Sequence, residues 1–161
     1  METIQGKGRF IGPNNIEVQT SEGPKRVIFN TAIIAAGSQV TKIPDIPYED
    51  PRVMDSTDAL TLRNIPKSML VIGGGIIGLE MATVYRALGT KITVVEMADS
   101  LIPGADKDIV RPLHKRLQKQ CEGIHLKTKV KSLTAEKNGL KAQFEGNDTP
   151  KVTCYEKVLV A

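Results

Sequence analysis

The chain has 161 residues, a net charge of +4, 40% hydrophobic and 25% charged residues, the balance of a soluble globular domain or of one domain with a piece of another. No apolar run approaches the roughly 20 residues that span a bilayer, and Met1-Glu2-Thr3-Ile4-Gln5 lacks the basic and apolar regions of a signal peptide. Basic residues are dispersed among acids; the densest cluster, His114-Lys115-Arg116 with Lys119, falls on a predicted helix without an aromatic platform, which argues for a solvated face and against a nucleic-acid partner.

The opening forty residues read as short strands between turns. Arg9-Phe10-Ile11 enters the turn signal Gly12-Pro13-Asn14-Asn15, Ile16-Glu17-Val18 alternates as a half-buried strand does, and Val27-Ile28-Phe29 follows Ser21-Glu22-Gly23-Pro24. Thr31-Ala32-Ile33-Ile34-Ala35-Ala36-Gly37-Ser38 reads as a buried strand closed by small residues, which either admit a backbone or ligand or simply pack. A segment this short buries too little surface to stand alone. It expects a neighbouring sheet that the sequence does not supply, so residues 1–42 are expected to be less ordered or differently packed. The proline-rich connector from Ile43 to Pro51 marks a domain boundary between residues 1–42 and 43–161. Asp55-Ser56 then caps a short helix ending at Leu60.

Leu70-Val71-Ile72 reads as a strand buried on both faces. It breaks at Gly73-Gly74-Gly75-Ile76-Ile77-Gly78 and passes into a helical pattern, the order of a dinucleotide-binding βα turn. There Gly73 permits the tight turn, Gly75 lets the backbone approach a pyrophosphate, and Gly78 lets the helix pack closely on the sheet. A second strand, Lys91-Ile92-Thr93-Val94-Val95, is closed by Glu96, 18 residues beyond Gly78. A carboxylate there accepts both hydroxyls of an adenosine ribose and repels a 2′-phosphate. The intervening helix is apolar nearly all round, with Glu80, Thr83 and Arg86 as a narrow polar stripe, so cover from a partner domain or subunit is expected on its outer side. Gly89 ends it as a left-handed residue.

A further helix is expected from Asp106, with acids at its start, Lys115, Arg116 and Lys119 near its end, and a bend or late start imposed by Pro112. His114 and His125 read as surface histidines. From Ile124 strands resume. Leu126, Thr128 and Val130 share one face and Lys127, Lys129 and Lys131 the other, Lys137-Asn138-Gly139 turns a hairpin, and Gly146-Asn147-Asp148-Thr149-Pro150 turns again. Lys157-Val158-Leu159-Val160-Ala161 reads as a buried strand with nothing after it, as in a chain cut from a longer one. Cys121 and Cys154, 33 residues apart, match no metal or redox spacing and read as unpaired thiols of a reducing cytosol.

Ala32-Ile33-Ile34-Ala35-Ala36-Gly37-Ser38, the glycine turn through Leu79-Glu80, Val94-Val95-Glu96, the meander from about residue 126 to 155 and the closing Val158-Leu159-Val160-Ala161 together resemble the flavin-dependent pyridine nucleotide–disulfide oxidoreductases. Ile102-Pro103-Gly104-Ala105-Asp106-Lys107-Asp108 and Asp55-Ser56-Thr57-Asp58-Ala59-Leu60 are similar to the bacterial dihydrolipoamide dehydrogenase branch of that family. The resemblance implies an α/β fold: a Rossmann-like FAD/NAD(P)-binding domain, its parallel sheet joined by a three-stranded antiparallel β-meander, with residues 1–42 as an incomplete, C-terminal part of an FAD-binding domain. It places Gly73, Gly74, Gly75, Ile76 and Gly78 at the NAD pyrophosphate, Glu96 on the adenosine ribose and Val130 beside the adenine. Glu80 and Ile77 would lie toward nicotinamide and flavin, and Gly8 with Ala35, Ala36 and Gly37 toward FAD.

The resemblance also implies what the sequence lacks: a first glycine fingerprint for FAD, a redox-active cysteine pair four residues apart, and a dimerisation domain with its His–Glu pair. No catalytic residue and no metal site is therefore expected in this chain, which alone would be inactive. The expected parent is cytoplasmic, carries FAD, reduces NAD⁺ with dihydrolipoyl groups of 2-oxoacid dehydrogenase complexes, and has a homodimer mate. Its alternatives are a mercuric reductase or soluble transhydrogenase type, a nucleotide-binding module without redox activity, or a scaffold with no ligand.

Overall fold

The computed structural model describes residues 2–146 and 150–161. The chain divides into two compact units, Met1–Gln39 and Val40–Ala161. In the first, β1 (Lys7–Gly12), β2 (Asn15–Thr20) and β3 (Gly23–Ile28) form an antiparallel meander in chain order. Asn14 fastens its end: the Phe29 N–H donates to the Asn14 carbonyl, and the Asn14 side-chain amide donates to the Phe29 carbonyl, each at 3.0 Å. Among the described residues of this unit only Val18 is buried.

The run from Thr31 to Ser38 is not the buried strand its composition suggests. It pairs with no strand among the described residues, and Ile33 and Ile34 are 92% and 74% exposed. A strand apolar on both faces is stable only between neighbours in a covered sheet, and β1–β3 offer none.

The second unit is built in three layers on a parallel sheet. Its strand order is β4 (Val53–Met54), β11 (Lys157–Val160), β5 (Ser68–Ile72), β6 (Lys91–Val95) and β7 (Gly123–His125). Side chains alternate across it. Met69, Val71, Ile92, Val94 and Leu159 pack toward α1 (Ser56–Leu60), α2 (Ile76–Ala87) and α3 (Lys107–Gln118). Leu70, Ile72, Val95, Val158 and Val160 pack toward a meander of β8 (Lys129–Glu136), β9 (Gly139–Glu145) and β10 (Val152–Tyr155). Period-2 alternation thus supplies one apolar set to each neighbouring layer. β4 has two residues, too few to show a period in the sequence.

Local signals account for most element ends. Asp55 caps α1 through a reciprocal box with Asp58. Gly89, at φ +100°, stops α2 and donates its N–H to Arg86. Of the bend or late start expected at Pro112, the late start does not occur: α3 begins at Lys107 and continues through Pro112. His114 is not a freely solvated histidine either, because its Nε2 is buried without a hydrogen-bond partner. His125, half-buried, closes β7. The expected turn at Asn147-Asp148-Thr149 lies outside the described residues. Among the described residues no helix is long and apolar enough to cross a membrane.

Two polar contacts fix the layers. Arg52 is held by Asp50 and donates Nη1 to the Glu136 carbonyl at 2.9 Å, tying the connector to the β8–β9 hairpin. On the helical face the buried Tyr85 hydroxyl donates to the Ala59 carbonyl at 2.8 Å, joining α2 to α1. Tyr85→Phe leaves that carbonyl with only the longer bond from the Leu62 N–H, at 3.3 Å, so thermal unfolding is expected to show a loss of about 1 kcal/mol; an unchanged transition would show that α1 is not held by the Tyr85 bond.

Candidate functional site

The glycine turn joins the central strand β5 to α2, and its glycines do different work. Gly73 has φ +112°, and a Cβ there would lie 2.2 Å from the Ala161 carbonyl oxygen, so both conformation and space demand glycine. At Gly78 a Cβ would stand 2.3 Å from the Gly73 oxygen and 3.2 Å from Val71 Cγ1. Gly74 is buried, where a Cβ would meet Leu101 Cδ2 at 2.8 Å and Glu96 Cβ at 3.1 Å.

Gly75 is the exception. Its φ of −74° suits any residue, and a Cβ there would meet no atom of the described residues within 4 Å beyond its immediate chain surroundings. Nothing inside the fold requires glycine at this point. What its missing side chain leaves clear is the approach to the first turn of α2, where Gly75 supplies no side-chain cap and no acidic residue is present. The unpaired N–H groups and positive dipole end of that turn suit an anionic group, so these residues fit a dinucleotide pyrophosphate.

Glu96 completes the turn. Its Oε2 accepts the Gly74 N–H and its Oε1 accepts the Ala98 N–H, both at 2.7 Å. The Gly74 carbonyl accepts the Ile102 N–H at 2.8 Å, so both backbone polar groups of Gly74 are engaged within the protein. Each carboxylate oxygen keeps a second lone pair for a ligand hydroxyl. Beside Glu96 lies a cavity of about 230 Å³ lined by Gly73, Met97, Lys129 and Val130 among others. The structure therefore gathers Gly73, Glu96 and Val130 around one space, although they come from three separate parts of the chain.

The family description Pyridine nucleotide-disulphide oxidoreductase matches residues 2–161. The chain belongs to this family. It is 51% identical over 162 residues to a dihydrolipoyl dehydrogenase of Vibrio cholerae, covering 100% of this chain and 34% of that protein. Another from Haemophilus influenzae is 46% identical, with 98% and 33% covered. The chain thus spans about a third of the length of the curated relatives it matches. Among solved structures it is similar to the HOCl-induced flavoprotein disulfide reductase RclA from Escherichia coli, with TM-score 0.81, 26% identity, and 99% of this chain and 35% of that one covered. LpdA from Mycobacterium tuberculosis shares the fold at TM-score 0.81 and 21% identity, with 98% and 35% covered.

Within this family fold the remaining assigned residues occupy separate places. Ile76, Ile77 and Glu80 stand on the outer side of α2, with Ile76 61% and Ile77 53% exposed. Ile76 and Glu80 also border a groove toward α3. In the first unit, Gly8 lies in β1, and Ala35, Ala36 and Gly37 lie exposed in the segment after β3. Burial pushes the Cys121 thiol above its ordinary 9.0, away from the thiolate that redox chemistry uses, while Cys154 is exposed and free. Among the described residues no cluster of histidine, cysteine and carboxylates could hold a metal ion.

Sequence reasoning missed Ile43, Ile46, Met97, Thr128 and Lys129 as walls of the cavity. Met97 and Lys129 were reachable, since each adjoins an assigned residue. Ile43 and Ile46 belong to the connector, and only the folded path of that segment brings them to the sheet end.

Proposed function

We propose that this chain is the NAD-binding part of a dihydrolipoamide dehydrogenase, with residues 1–42 belonging to its FAD-binding domain and 43–161 to its NAD-binding domain. The parent enzyme would oxidise a dihydrolipoyl group to its disulfide while NAD⁺ becomes NADH and a proton is released. Its electrons would pass through a cysteine disulfide and FAD, which are the centres that carry the redox chemistry. The observation that most supports the reading is Gly75: an open backbone position at an uncapped helix start, with no internal reason to be glycine.

In this reading the chain binds and orients. Gly73, Gly75, Ile76 and Gly78 cradle the pyrophosphate, Glu96 accepts the adenosine ribose hydroxyls, and Val130 borders the adenine. Gly74 serves the site by holding Glu96 in place. Ile77 and Glu80 face the nicotinamide and flavin side. The outer side of α2 and its C-cap carry Ile76, Ile77, Val84 and Leu88, all 38% exposed or more, an apolar stripe that suits cover by the FAD domain of a cytoplasmic homodimer. Gly8, Ala35, Ala36 and Gly37 contact FAD in that assembly. Dihydrolipoyl groups of a 2-oxoacid dehydrogenase complex are its substrates.

Titration of the chain with NADH and NADPH tests the assignment of Glu96. NADH is expected to bind more tightly, because a 2′-phosphate would face the carboxylate. Glu96→Ala is expected to weaken NADH binding by about tenfold or more, the value of a charge-assisted hydrogen bond to ribose. Equal NADH affinity in the variant, or equal affinity for both nucleotides, would remove Glu96 from the site.

A further inference from the structure

A second polar crevice of about 210 Å³ lies away from the glycine turn, lined by Met54, Asp58, Arg63, Tyr85 and Lys157 among others. Lys157 begins β11 and shares a sheet face with Leu159, two residues on, which packs into the core beneath the helices. Alternation would put an apolar residue at position 157; a half-buried lysine stands there instead. Among the described residues its amine finds only the Met54 sulfur, at 3.5 Å, a weak acceptor. Burial pushes the Lys157 amine below its ordinary 10.5, Arg63 adds like-charge repulsion, and Asp58 partly offsets both.

Arg63 follows Leu62, a non-glycine residue at φ +47°. A left-handed leucine is strained backbone, and such strain collects where a side chain must be aimed. Neither Arg63 nor Lys157 forms an ion pair among the described residues. Asp58 is the one carboxylate among those lining residues, and its Oδ2 already accepts the Asp55 N–H in the α1 cap. Two cations therefore converge on a crevice that holds one carboxylate already in use.

We infer that this crevice binds a small oxyanion of the phosphate class, gripped between the Lys157 amine and the Arg63 guanidinium. The space is smaller than pockets that enclose drug-sized molecules, so it suits a single phosphate group and not a nucleotide. Arg63 offers a planar fork of donors and Lys157 a compact charge, the pairing by which proteins hold phosphate oxygens. The site is independent of the nucleotide reading, because it shares no residue with the glycine turn or the cavity beside Glu96.

Inorganic phosphate is the probe, titrated into the full chain against chloride at constant ionic strength, with backbone amide shifts as the readout. Saturable shifts are expected at Thr61, Arg63 and Lys157. Lys157→Met and Arg63→Gln should each weaken them by about tenfold or more, as loss of a charged hydrogen bond requires. Asp58→Asn keeps a capping side chain and should strengthen binding by several-fold, on the order of the charge removed. Because Arg63 is exposed, its variant keeps the test open if Lys157→Met does not fold. Shifts confined to Gly73–Gly78, shifts equal in chloride, shifts unchanged in both cation variants, or no shifts at all would each overturn the inference. Failure to bind NADH at the glycine turn would leave it standing.

Discussion

Gly78→Ala is expected to destabilise the Val40–Ala161 unit by roughly 3 kcal/mol, the upper range for overpacking a close contact. The new methyl would stand 2.3 Å from the Gly73 oxygen, a backbone atom that cannot swing aside as a side-chain end could. Val71 Cγ1 at 3.2 Å and Ala161 Cβ at 3.3 Å close the other directions. Relief must come from lifting α2 off β5, which opens the core formed by Leu79, Ala82 and Tyr85. Thermal unfolding should show a transition lowered by roughly 10 °C for a unit of this size. An unchanged transition would mean that the helix and strand are not packed at this distance.

Gly75→Ala is expected to behave in the opposite way, two positions from the conformationally constrained Gly73. Its backbone is already in a region open to alanine, and its methyl would meet no atom of the described residues within 4 Å beyond its immediate chain surroundings. Reduced freedom of the unfolded chain favours alanine by about 0.4–1 kcal/mol, while alanine is a poorer helix N-cap than glycine by a similar amount. The two effects nearly cancel, so stability should be unchanged within about 0.5 kcal/mol. Nucleotide affinity should not be, since the methyl projects where the backbone is open to ligand. A large loss of stability would show that Gly75 is held by the fold itself.

This contrast marks how far the sequence could be read. The order strand, glycine turn, helix, strand and acid placed Gly73–Gly78 correctly in the passage from β5 into α2 and Glu96 just after β6, because each step leaves a local signature of apolar run, glycine spacing or charge. The hairpin at Lys137-Asn138-Gly139 was legible for the same reason, and Gly139 indeed takes φ +151°. Other features depend on partners distant in sequence. That Glu96 would clamp the Gly74 N–H follows only from β5 and β6 lying side by side. That Ile43 and Ile46 would line a cavity follows from the course of a connector without periodicity. Thr31 to Ser38 misled in the other direction: its composition is that of a buried strand, but composition carries no information on whether neighbours exist to bury it. Pro112 did not delay the start of α3, because one missing N–H is tolerated within a helix whose Val110 and Leu117 pack into the core.

The nucleotide site depends most directly on Gly75, which is tested by titrating NADH into the unaltered chain and into Gly75→Ala while following backbone amides. The expected result is saturable shifts across Gly73–Gly78, Glu96 and Val130 in the unaltered chain. In Gly75→Ala, affinity should be weakened by about tenfold or more at an unchanged melting temperature. NADH binding with equal affinity to both chains, or no shift at the glycine turn in the unaltered chain, would contradict it.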